Sequence, residues 1–152
     1  MTIRRQATLF LPDASDIESM RARYNPEQAK LISAHVTLCR EDEVLDWSIF
    51  AKRLADLHPL SLALTFGLPV REDDFVYLPV SQGIDSFHRL RTRLLGGEPR
   101  IQTPHLTLIH PRNGKCTDAI YEDILLHLRP RTATFQRVSM IEQVDGGVWQ
   151  IL

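Results

Sequence analysis

The spacing of apolar residues divides the chain into short strands and helices. Residues 6–11 are largely apolar and predict an opening strand, closed by Pro12. Ser15 and Glu18 have the spacing of a capping box, and Ile17, Met20 and Tyr24 follow at helical spacing. A first helix is therefore expected over 16–24, with Pro26 helping to stop it. His35-Val36-Thr37-Leu38-Cys39 is short, bounded and of strand character. Trp47, Phe50, Leu54 and Leu57 recur at helical spacing behind Asp46 as N-cap, and Pro59 ends that helix. Leu60, Leu62, Leu64 and Phe66 alternate strictly, which predicts a half-buried strand, and 75–80 reads as another. Ile84, Phe87, Leu90 and Leu94 form a helical stripe, with Arg89 and Arg93 on the polar side and Arg91 at the edge. After a loop at 96–99, residues 105–109 predict a strand ended by Pro111. Thr117 caps a helix carrying Ile120, Ile124 and Leu128. Two or three strands follow over 132–144 and 148–152, with Gly146-Gly147 as a hairpin signal. Strands and helices interleave, so the expected class is α+β.

Composition narrows the function classes. The chain has 152 residues, 43% of them hydrophobic, enough for one ordinary core and too many for a disordered chain. No apolar run approaches the roughly 20 residues of a membrane span. The formal net charge of -1 argues against a general nucleic-acid coat but leaves room for a local basic cleft. Cys39 and Cys116 are too few for a disulfide scaffold and lack metal-ligand spacing. No linker or low-complexity stretch divides the chain, and residues 1–152 are expected to form a single two-lobed domain. The N-terminal residues have no apolar h-region, so a soluble cytoplasmic protein is expected, and separately a monomer.

One pattern carries chemistry. His-x-Thr-Leu occurs at His35-Val36-Thr37-Leu38 and again at His105-Leu106-Thr107-Leu108. From this composition chance predicts only about 0.05 copies, and both fall on predicted strands. On a strand, residues i and i+2 share a face, so His35 lies with Thr37 and His105 with Thr107, while the apolar residues between them face the core. Two imidazoles and two hydroxyls converging on one groove suit phosphodiester chemistry without a metal or cofactor. One neutral His can take a proton and the other, protonated, can give one. The Thr hydroxyls can donate to non-bridging phosphate oxygens.

With these motifs the chain resembles the two-histidine phosphoesterase superfamily, in particular its 2'-5' RNA ligase-like branch. Leu9-Phe10-Leu11-Pro12 resembles the first strand of that family. Ala34-His35-Val36-Thr37-Leu38 and Pro104-His105-Leu106-Thr107-Leu108 match its two signatures, and Trp149-Gln150-Ile151-Leu152 resembles its last strand. The resemblance implies a bilobal α+β fold with pseudo-twofold symmetry and the motif strands lining a central cleft. It implies catalytic roles for His35, Thr37, His105 and Thr107. It also implies metal-independent action on 2',3'-cyclic or 2'-5' phosphodiester groups of RNA ends or small nucleotides, with 2'-5' ligation as the reverse reaction. The alternative is a non-catalytic nucleotide- or RNA-binding module with the same cleft.

Many relatives carry Arg five residues after the second motif His. Here that position is His110, with Arg112 two further on, and Arg40 stands at the corresponding place after the first motif. These three are the candidate substrate-binding residues. Strict alternation turns His110 away from the cleft, so it reaches substrate only if the strand bends before Pro111. The same alternation puts His105 and His110 on opposite faces, against a shared metal. Cys39 shares the face of His35 and Thr37, with small-hydrophobe burial as its expected role. Phe10 and Tyr77 are candidate base-stacking residues. Arg89 and Arg93 are candidate phosphate contacts on an otherwise exposed helix face.

Overall fold

The strands assemble into one antiparallel sheet with helices packed on it. The computed structural model describes residues 1–152 and contains nine strands and five helices. The strands are β1 (Ile3–Phe10), β2 (His35–Cys39), β3 (Leu62–Phe66), β4 (Val70–Glu72), β5 (Phe75–Gln82), β6 (His105–Ile109), β7 (Arg131–Phe135), β8 (Ser139–Val144) and β9 (Gln150–Ile151). The helices are α1 (Ser15–Tyr24), α2 (Pro26–Leu31), α3 (Trp47–Ala55), α4 (Ile84–Leu95) and α5 (Asp118–His127). Strand order is β7-β3-β5-β6-β2-β1-β8-β9, with β4 paired to β5. The class is α+β, as the interleaved pattern predicts. The two motif strands, remote in sequence, are neighbours at the middle of the sheet.

Alternation decides which face each residue takes. Val36, Leu38, Leu106 and Leu108 are buried, whereas His35, Thr37, His105 and Thr107 are half-buried. The buried set joins Ile17 and Met20 of α1, Phe50 of α3, Phe87, Leu90 and Leu94 of α4 and Ile124 of α5 in one cluster of 27 residues. Burying each such aliphatic side chain contributes about 1.5–3 kcal/mol. This apolar face fixes the register, and a slip by one residue would turn every His and Thr of the motifs into the core.

Several elements depart from the sequence expectations for identifiable reasons. β1 starts at Ile3, because Arg4 and Arg5 belong to the ladder opposite Gln143 and Glu142 of β8. No capping box forms. Ala14 caps α1 without a side-chain bond, and Glu18 instead accepts from the Ala34 N–H and from Arg21. Pro26 does more than end α1. It occupies the first turn of α2, where a missing N–H costs nothing and the fixed φ suits the helix. Asp46 and Thr117 cap α3 and α5 as expected. The tight turn after β8 centres on Asp145-Gly146, one residue before the expected Gly pair. Both have left-handed φ, of 51° and 71°, and Gly147 N–H donates to Val144 O at 3.0 Å. No helix is long and apolar enough to cross a membrane.

Candidate active site

β2 and β6 run antiparallel with Val36 opposite Leu106. One residue to either side, this register sets His35 opposite Thr107 and Thr37 opposite His105. Each imidazole therefore has a hydroxyl of the other motif directly across from it. The two imidazoles lie on a diagonal, which in such ladders separates Cα atoms by about 7–8 Å, room for a phosphate group between the rings. All four side chains line one polar cleft of about 820 Å³.

The ring nitrogens are not free to choose tautomers. His35 Nδ1 sits 2.8 Å from the Ser33 carbonyl, and His105 Nδ1 sits 3.2 Å from the Thr103 carbonyl. A carbonyl only accepts, so both rings carry a proton on Nδ1 and leave Nε2 for the cleft. His35 keeps an open edge to the cleft, but its ring is otherwise enclosed. That burial pushes its imidazole down to about 4, with the Ser33 hydrogen bond opposing and the nearby Arg21 guanidinium and His105 adding to the fall. His35 is consequently neutral at neutral pH, with a lone pair on Nε2. Aromatic edges pack both rings. Phe10 lies 6.2 Å from His35 between centroids, and Phe75 and Tyr77 lie 5.8 and 5.7 Å from His105.

The structure brings every candidate site residue to the same cleft: Arg40, His110 and Arg112 line it with the four motif residues. For His110 this corrects the strict-alternation expectation, because β6 ends at Ile109 and the chain turns there. The turn is pinned by buried Asn25, whose Oδ1 accepts from His110 N–H at 2.8 Å and whose Nδ2 donates to Asn113 Oδ1 at 3.0 Å. Gly114 is required beside it, since a Cβ would stand 2.6 Å from Ile109 Cγ2 and 3.0 Å from Asn25 Cγ. His105 and His110 thus share the cleft, although no three His, Cys, Asp or Glu side chains group as metal ligands. Cys39 is fully buried and outside the lining, and burial pushes its thiol up to about 12. Phe10 and Tyr77 pack against the histidines without lining the cleft, and Arg89 and Arg93 are exposed on α4 away from it.

Sequence reasoning missed the braces around the site. Arg21 is 2% exposed, donates to the Ile32 carbonyl at 2.8 Å, and pairs with Glu18, which holds the Ala34 N–H. Arg91 is 1% exposed and ion-paired to Glu43. It donates to the carbonyls of Leu38 and Arg100 and to Gln102 Oε1. Gln102 in turn donates to the Thr37 carbonyl at 3.0 Å. This network ties the first motif strand to the segment leading into the second. Trp149 also lines the cleft, with the Arg4 guanidinium 5.6 Å from its ring centroid. The sequence signals for these residues were Glu18 at capping-box spacing, Arg91 at the edge of an apolar stripe and Trp149 in the closing segment, none of which pointed to the site.

No protein-family model and no curated protein matches the chain. Among solved structures it is similar to a phosphoesterase, with a TM-score of 0.61 over 99% of this chain and 96% of that one, at 15% identity. It is also similar to a conserved protein of unknown function from Agrobacterium tumefaciens, with a TM-score of 0.58 over 99% and 84% of the two chains, at 14% identity. Likeness at such identity is a likeness of fold, and one fold can host many chemistries. The architecture is a phosphoesterase-like α+β fold.

Proposed function

We propose that the protein is a metal-independent phosphodiesterase acting on 2',3'-cyclic or 2'-5' phosphodiester groups of RNA ends or small nucleotides. The observation that carries this reading is the pair of His-x-Thr strands held side by side, each imidazole turning Nε2 to one cleft and facing a hydroxyl of the other motif. We read the two strands as pseudo-twofold partners within one two-lobed domain, the axis passing between Val36 and Leu106.

His35, neutral, takes the proton of the attacking water at Nε2. The water oxygen bonds to phosphorus, the bond to the leaving ribose oxygen breaks, and His105 gives that oxygen its proton from Nε2. Thr37 and Thr107 donate to the non-bridging oxygens, where charge concentrates as the bond forms. The reverse sequence, with a ribose hydroxyl in place of water, is 2'-5' ligation. Arg4, Arg40 and Arg112 have no carboxylate partner and attract the anionic substrate, while Trp149, backed by Arg4, offers a ring to a nucleobase.

Turnover of 2',3'-cyclic nucleotides, oligonucleotides with cyclic ends and 2'-5' dinucleotides, all in the presence of chelator, tests this reading. His35→Ala and His105→Ala should each lower kcat by at least about 100-fold. Near-wild-type turnover by either variant would refute the two-histidine mechanism. Tight binding with no turnover of any substrate would leave a binding module.

A further inference from the structure

The third histidine of the cleft is held in the opposite sense from the other two. The Arg112 backbone N–H donates to His110 Nδ1 at 3.1 Å. A backbone N–H can only donate, so Nδ1 must keep its lone pair and the ring proton sits on Nε2. His35 and His105 meet carbonyls at the same atom and carry the proton there. Position is fixed as firmly as tautomer. The His110 N–H is anchored on Asn25, its carbonyl accepts from Gly114 N–H at 2.8 Å, and its ring is tilted against Phe75 at 6.4 Å.

Protonating Nδ1 would set two donors against each other and break the Arg112 contact. Burial disfavours the imidazolium as well, and the charged and titratable groups facing the ring, Arg112 and His105, add to this. Protonation is thereby moved to lower pH, and at neutral pH the ring offers one neutral Nε2–H donor to the cleft.

Resting on the phosphodiesterase reading, we propose that His110 is a specificity-determining residue. As a neutral Nε2–H donor to a non-bridging oxygen, it suits the singly charged diester and adds no attraction for the more highly charged monoester product. A diester carries one negative charge, whereas a phosphate monoester carries about -1.5 to -2 near neutrality. Another cation would hold the product more strongly than the substrate and slow its release.

Two measurements test this. In a histidine-labelled 15N spectrum, neutral His110 should have a protonated Nε2 and a bare Nδ1, opposite to neutral His35, and should gain its second proton at lower pH than an ordinary imidazole. A neutral ring with its proton on Nδ1, or titration at or above the ordinary imidazole value, would overturn the proposal whether or not the enzyme turns over a cyclic phosphate. Calorimetry then compares a 3'-nucleotide with a slowly hydrolysed 2',3'-cyclic phosphorothioate. His110→Arg should tighten the monoester by about 10-fold more than the diester, because the monoester presents up to one more negative charge to the added guanidinium. His110→Gln, which keeps a neutral N–H, should leave the ratio of the two affinities within about 3-fold of wild type. Equal tightening of both ligands by Arg would overturn the proposal. Failure of the phosphodiesterase reading would appear separately, as wild-type protein that opens no cyclic phosphate.

Discussion

Arg91→Met isolates the buried network that joins the two motif strands. Methionine keeps most of the apolar stem and removes the guanidinium, so packing loss is limited. Glu43, whose side chain is 6% exposed, loses its main partner and keeps only Arg100 at 3.3 Å and the Arg40 N–H at 3.0 Å. Removing one member of a buried pair costs about 3–5 kcal/mol, because a charge is left uncompensated. For a chain of this size 1 kcal/mol moves Tm by about 2–4 °C, so a fall of about 6–20 °C is expected. Glu43→Gln combined with Arg91→Met removes the stranded charge but leaves the Leu38 and Arg100 carbonyls and Gln102 Oε1 without this donor. The double variant should therefore recover part of the loss. The pH dependence follows from Glu43. In the wild type, burial alone would raise its carboxyl. The Arg91 hydrogen bond, the Arg40 N–H and the charges of Arg91 and Arg100 outweigh burial and hold it below the ordinary range. That contribution is full above the ordinary carboxylate value and is lost as pH falls through the depressed folded value. Without Arg91, burial dominates, the carboxyl is raised, and the stranded charge is relieved by protonation. The deficit of Arg91→Met should thus shrink between pH 7 and about pH 4.5. Urea unfolding followed by circular dichroism at both pH values measures it. A variant within about 1 kcal/mol of wild type at pH 7 would refute the argument. So would a deficit that grows in acid, or a double variant no more stable than the single one.

Trp149→Ala should raise KM for nucleotides by roughly 10-fold with little change in kcat, since base stacking contributes about 1–3 kcal/mol, and Trp149→Phe should restore most of it. Steady-state kinetics on a cyclic nucleotide decide this, and an unchanged KM would remove Trp149 from the substrate site. In the pH profile of kcat/KM, the acid limb should fall where His35 protonates in the free enzyme, near 4. It should lie at higher pH in the kcat profile, because a bound phosphate anion favours the imidazolium. Coincident acid limbs would contradict His35 as the base.

Most of the secondary structure was legible because it rests on local spacing: the alternation at Leu62, Leu64 and Phe66, the stripe at Phe87, Leu90 and Leu94, and the caps at Asp46 and Thr117. The four motif residues were legible because i, i+2 periodicity fixes a strand face without any tertiary information. What escaped depends on contacts remote in sequence. Glu18 has capping-box spacing but is drawn to Ala34 and Arg21, and Arg91 looks like an amphipathic edge until Glu43 and Gln102 enclose it. The side taken by His110 was left open by the sequence, because alternation holds only while the strand continues, and β6 stops one residue before it, so the bend that brings His110 to the cleft is present. The apolar run starts the first strand at residue 6, and Arg4 and Arg5 join it only through Gln143 and Glu142, which lie near the other end of the chain.

The net charge of -1 left room for a local basic cleft, and the cleft is lined by Arg4, Arg5, Arg21, Arg40 and Arg112 against Glu41 and Asp42, while two buried arginines, Arg21 and Arg91, brace the chain on the way into the two motifs. Arg21 satisfies the Ile32 carbonyl three residues before His35, and Arg91 satisfies the Arg100 carbonyl five residues before His105. Each is buried and partly neutralised, by Glu18 and by Glu43, so each adds rigidity with little long-range charge. Both segments so braced supply the carbonyls, Ser33 and Thr103, that fix the imidazole tautomers a few residues later. A shift of about 1 Å in a reacting group can cost about 100-fold in rate, so holding those carbonyls matters as much to the proposed chemistry as the imidazoles themselves. The braces also differ in one respect that bears on the roles. Arg21 lines the cleft close enough to His35 to disfavour its imidazolium, whereas Arg91 is enclosed by its contacts to Leu38, Glu43 and Gln102 and does not line it. Two motifs with the same backbone hydrogen bonds thus have unlike surroundings, and in the proposed chemistry the deeper burial of the His35 ring, reinforced by Arg21, is what suits it to the role of proton acceptor.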